Sequence, residues 1–94
     1  MRGLVSIGIT YRPRAGLCTA PHGSALVILD LDRETYFSLD EVGTRVWQLL
    51  ALGMSVDRIA GQVACEYHVP VERAGADVGE LVATLLNLKL ITSR

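Results

Sequence analysis

The chain of 94 residues is poor in the features that announce most kinds of chemistry. It has two cysteines, Cys18 and Cys65, too few and too far apart for a disulfide framework, so a reduced cytoplasmic setting is expected. Five aromatic residues, Tyr11, Tyr36, Phe37, Trp47 and Tyr67, leave the interior to aliphatic side chains. No apolar run approaches the length that spans a bilayer, and Tyr-Arg-Pro-Arg follows the first apolar run where a signal peptide needs small residues. These shortages predict a soluble, intracellular protein without membrane partners.

Basic charge is also short. Nine basic residues face ten acidic ones, for a net charge of -1. Arg2, Arg12 and Arg14 give the first fourteen residues +3, so the remaining eighty carry -4. A domain that draws its affinity from phosphates carries the opposite balance. The basic segment from Arg12 to Arg14 suggests, on charge alone, a contact with a partner enzyme.

Half of the residues are hydrophobic, enough for one packed domain over residues 1–94. Leu4 to Tyr11 alternates as a strand does, and Arg12-Pro13-Arg14-Ala15-Gly16 breaks it. Leu17 to Ala20 is a weaker strand, ended by Pro21-His22-Gly23. Which of the two pairs with the next strand stays open, as does the pairing of residues 1–16.

Ala25 to Leu31 is a nearly unbroken aliphatic run and the strongest strand. A polar reversal follows, so Thr35 to Leu39 returns as its antiparallel partner, with Phe37 and Leu39 on the core face and Tyr36 and Ser38 on the other. Asp40 is the preferred N-cap of a first helix; Ser38 with Glu41 forms an alternative capping box. Val42, Val46, Trp47, Leu49 and Leu50 make its apolar stripe, and Gly53 ends it.

Ser55 caps a second helix bearing Val56, Ile59, Ala60, Val63, Ala64 and Tyr67. His68-Val69-Pro70 breaks the chain again. A third helix then runs to about Leu88, with Val71, Ala74, Val78, Leu81, Leu85 and Leu88 on one stripe. Gly75 and Gly79 within it are expected where another backbone approaches closely. Strands followed by three helices, with a tight turn between the first two, predict an α+β winged helix-turn-helix: a small three-stranded antiparallel sheet and then three α-helices.

Catalytic and metal chemistry find little support. Cys18, His22, Cys65 and His68 are the ligand types of a zinc site, but neither pair forms a knuckle, and small buried cysteines near surface histidines are the simpler reading. Cys65 and His68 lack a third group to orient the imidazole. No phosphate-cradling glycine loop is present. No cofactor, metal or catalytic residue is therefore expected. A winged-helix DNA-binding regulator is the alternative that the helix-turn-helix raises, yet Glu72, Arg73, Asp77 and Glu80 give the third helix a net -2 before Lys89, which phosphates repel.

The ordered series Val27-Ile28-Leu29-Asp30-Leu31, Thr35-Tyr36-Phe37-Ser38-Leu39-Asp40, Val42-Gly43, Val46-Trp47-Gln48-Leu49-Leu50, Ile59, Tyr67-His68-Val69-Pro70 and Ala76-Asp77-Val78 resembles the PqqD-like family over about Ala25 to Ile91. The family comprises recognition elements for ribosomally made, modified peptides. The resemblance implies that the leader segment of a precursor peptide adds as a strand to the third strand of the sheet and lies against the third helix. The chain looks most like the stand-alone leader-binding protein of lasso peptide biosynthesis, which implies a separate leader peptidase and macrolactam-forming cyclase as partners.

Two departures stand out: Asp40 occupies a position where relatives commonly carry asparagine, and Leu4 to Tyr11 is less typical. The implied peptide-binding residues are Thr35, Tyr36, Phe37, Ser38 and Leu39 on the strand, with Val78, Leu81 and Leu85 forming apolar pockets and Arg73, Asp77 and Glu80 at the rim. An uncovered edge strand also permits a homodimer in the absence of peptide.

Overall fold

A computed structural model of the protein describes residues 8–93. The elements, in chain order, are β1 (Tyr11–Pro13), β2 (Cys18–His22), β3 (Ala25–Asp30), β4 (Thr35–Leu39), α1 (Glu41–Ala51), α2 (Val56–Tyr67), α3 (Val71–Asn87) and β5 (Ile91–Ser93). The α+β architecture is the expected one, with a three-stranded antiparallel sheet ordered β2-β3-β4 and three helices after it.

The open question of pairing resolves in favour of the second segment, since β2 lies beside β3 with Thr19 opposite Ile28. It extends through Pro21 and His22, which the sequence reading placed in a break. Proline is tolerated there because β2 is an outer strand whose free side needs no donor. The strand expected over Leu4 to Tyr11 falls largely outside the described residues, and Gly8 to Thr10 are not strand.

Instead, Tyr11 begins β1, and Pro13 ends it rather than breaking it. This strand pairs with β5, Tyr11 opposite Ser93 and Pro13 opposite Ile91. The small two-stranded sheet was not anticipated, because each three-residue strand is too short to show a period.

The hairpin from β3 to β4 sets the core. Ile28 opposite Phe37 and Leu26 opposite Leu39 share the inward face, and Ile28 and Leu39 are buried with Trp47, Leu50, Ile59, Val78 and Leu85. Asp40 is the cap that forms: its Oδ1 accepts the Gly43 amide at 2.8 Å. Gly43 fits tightly there, since a Cβ would meet Leu39 Cδ2 at 3.1 Å and Asp40 Oδ1 at 3.2 Å.

Helix α1 closes with the Gly53 amide on the Leu50 carbonyl and the Met54 amide on Leu49, Gly53 being left-handed at φ 90°. Ser55 takes the cap position of α2, but its hydroxyl donates to Asp57 instead of accepting from the helix.

Helix α3 ends in the same way as α1. The Lys89 amide donates to Leu86 and the Leu90 amide to Leu85, with Lys89 in the left-handed position at φ 60°. Of its stripe, Ala74, Val78 and Leu85 are buried while Val71 and Leu88 are exposed, because the neighbouring elements cover only the middle of the helix. The close approach expected at Gly75 and Gly79 is absent: a Cβ at either would meet nothing within 4 Å. No described helix is long and apolar enough to cross a membrane.

Candidate functional site: an open strand edge beside a helix-walled groove

Strand β4 pairs with β3 on one side and, among the described residues, with no strand on the other. Alternate residues along such an edge direct their N–H and C=O groups outward, where an extended chain can satisfy them. Between this edge and α3 lies a groove of about 650 Å³.

Phe37, Ser38 and Leu39 form its strand wall, and Arg73, Asp77, Val78, Glu80 and Leu81 its α3 wall. Eight of the eleven residues expected at the site thus meet in one concavity. Phe37 and Leu81 are partly buried against the core and keep surface toward the groove, whereas Leu39 and Val78 lie mostly beneath it.

The other three lie elsewhere. Leu85, expected as a pocket wall, is 0 % exposed and does not line the groove; the α3 stripe turns it into the core. Thr35 and Tyr36 line a second cavity at the start of β4. Tyr36 is 73 % exposed on the outward face of the sheet.

The sequence reading missed the floor and far end of the groove, supplied by Val42, Gly43 and Val46 of α1, Val63 and Tyr67 of α2, and Val69. The half-buried Val42 and Tyr67 each sit at an end of an apolar stripe, which was the only sequence signal available, and the half-buried Val69 lies in the break between α2 and α3.

Acidic groups set the electrostatics of this groove. Burial pushes the Tyr67 phenol up, and the carboxylates of Glu41, Glu66 and Asp40 push it further. At the rim, Arg73 and Asp77 approach only to 3.9 Å, both well exposed. Behind the groove Arg45 grips Glu66 with two bonds, 2.9 Å from Nε and 2.8 Å from a terminal nitrogen, and joins α1 to α2. This pair, with Gln62 at 2.7 Å, draws the Glu66 carboxyl down to about 2.

Cys18 and Cys65 are exposed, not buried as the simpler sequence reading had it. Among the described residues no three histidine, cysteine or acidic side chains gather as a metal site. Arg14 does not stand free for a partner either, because it is bound to Asp30 and to the Lys89 carbonyl.

An antiparallel sheet whose β4 edge is open beside a groove lined by apolar side chains and acids defines a small α+β domain able to take an extended chain as a fourth strand. Residues 25–91 match the family described as coenzyme PQQ synthesis protein D, and the chain belongs to this PqqD family.

Two solved structures are similar over most of the chain. TbiB1 in complex with the TbiA(beta) leader peptide is 30% identical, with a TM-score of 0.78 over 85% of this chain and 93% of that one. Lasso peptide synthetase B1 complexed with the leader peptide is 26% identical, with a TM-score of 0.80 over 87% and 96% of the two chains. The curated proteins give no significant match.

Proposed function

We propose that this protein binds the leader segment of a ribosomally synthesised precursor peptide by strand addition to β4, and that it presents the peptide to separate enzymes without carrying out chemistry itself. The observation that carries the reading is the open β4 edge facing the α3 groove, in a chain similar to two proteins captured with leader peptides. Those relatives also support a place in lasso peptide biosynthesis; the partner enzymes in this proposal are a leader peptidase and a macrolactam-forming cyclase.

Main-chain hydrogen bonds to β4 give affinity with little sequence preference. Selectivity comes from side chains entering the groove between Phe37, Leu81 and Tyr67, and from Arg73, Asp77 and Glu80 at its rim. Holding the leader raises the local concentration of the rest of the peptide at the partner enzymes.

Titration of a fluorescently labelled leader peptide tests this, with saturation expected at or below concentrations on the order of 10 µM. Backbone N-methylation, one leader residue at a time, should weaken binding at alternate positions by about fivefold, the worth of one hydrogen bond. Absence of binding overturns the reading, and loss without alternation overturns strand addition.

A further inference from the structure

The edge of β4 borders a second cavity, of about 300 Å³, at its Thr35 end. Ile28, Phe37 and Leu88 supply apolar walls, with Arg33 and Lys89 also on its lining. Phe37 lines the main groove as well, so the two concavities are consecutive compartments along one strand edge.

Their charge differs. In the second cavity Asp30 is matched by Arg14 at 2.6 Å. The Arg33 guanidinium makes a 3.5 Å contact with the Leu88 carbonyl and a longer-range attraction to Asp30 but no ion pair with it, and Lys89 has no carboxylate partner among the described residues. Asp32 and Glu34, in the adjoining turn, do not line the cavity. The lining here is therefore net positive, Arg33 and Lys89 against Asp30, whereas the main groove carries Asp40, Asp77 and Glu80 against Arg73.

Lys89 is also the only lysine of the chain. It stands in the left-handed position after α3 where glycine is the unstrained residue, at φ 60°.

Resting on the proposed leader binding, we infer that this compartment is a second side-chain subsite, selective for an aspartate or glutamate of the bound peptide. A carboxylate reaching between Arg33 and Lys89 gains charge-assisted hydrogen bonds, and its methylene groups pack on Phe37 and Leu88. In an added strand only alternate residues share a face, and Thr35 to Leu39 spans about 13 Å at ~3.3 Å per residue. The acid accordingly lies two or four residues from the side chain that fills the main groove, at the Thr35 end of the edge.

The test uses a fluorescein-labelled synthetic leader peptide of the precursor that this protein binds, and versions with each Asp or Glu changed singly to its amide. One such change should weaken binding about tenfold. Lys89→Gly and Arg33→Gln should weaken the unmodified peptide by a similar factor and leave the weakened amide peptide nearly unaffected, as coupled partners do. Lys89→Gly relieves the left-handed strain, so its thermal midpoint should hold or rise and its loss is one of recognition.

The unmodified peptide should also shield Lys89 from an amine-reactive reagent. Wild-type binding that neither the variants nor the amide peptides alter overturns the subsite and leaves leader binding standing, as does a leader with no acid at the stated spacing. Failure of the wild-type protein to bind the peptide overturns both.

Discussion

Arg14 donates to the Asp30 carboxylate at 2.6 Å while its Nε reaches the Lys89 carbonyl at 2.7 Å, so one guanidinium ties the segment after β1 to the end of β3 and the end of α3. Burial pushes the Asp30 carboxyl up, but Arg14, the Arg33 amide and the two positive charges outweigh it and hold it below the usual range. Arg14→Ala strands this acid, and the thermal midpoint by circular dichroism should fall by several degrees. Arg14→Met with Asp30→Leu should recover part of the loss, since an apolar pair leaves no charge behind.

The Glu66 carboxyl, drawn down to about 2 by Arg45 first and Gln62 second, links stability to acid. Its folded value is below its unfolded one, so its contribution is fully present above about pH 4.5 and is lost as pH falls toward 2. Denaturant unfolding of Glu66→Gln should therefore be less stable than wild type at neutral pH and show a shallower decline through that window. An unchanged slope would remove Glu66 as the source.

Leu81 and Leu85 lie four apart on α3 and should behave oppositely. Leu81 lines the groove and is only partly buried, so Leu81→Asp should keep the fold and weaken leader binding by about tenfold or more. Leu85 is fully buried, and Leu85→Ala should cost about 2–5 kcal/mol of stability. Circular dichroism and peptide titration on the two variants distinguish these outcomes.

Gly75→Ala and Gly79→Ala should each stabilise the protein by up to about 1 kcal/mol, because a helix-interior glycine costs roughly that and a methyl group meets nothing at either position. Neither residue lines the groove, so leader affinity should be unchanged. Gly43→Ala should do the reverse and destabilise, since its methyl presses on Leu39 and on the Asp40 cap. Chemical denaturation of the three variants gives the comparison.

Binding itself should stabilise the domain. At leader concentrations near 100 times Kd the gain is about 2.7 kcal/mol, visible as a rise in the thermal midpoint that grows with peptide concentration.

What could be read along the chain was local. The hairpin of β3 and β4, the Asp40 cap and the three helices follow from spacing and capping among residues a few positions apart, and the strand half of the groove came with them. Leu81 and Leu85 could not be told apart, because periodicity names the apolar face of α3 and not which part of it a neighbour covers.

Tertiary structure decided what depends on distant partners. It joined β2 to β3 and β1 to β5, and it spent Arg14 on Asp30. It also brought Val42, Tyr67 and Val69 beneath the groove and placed Arg33 beside Lys89 at its second compartment. The sequence determined that an edge strand would be made, and packing between elements far apart in the chain determined the shape and charge of what lies beside it.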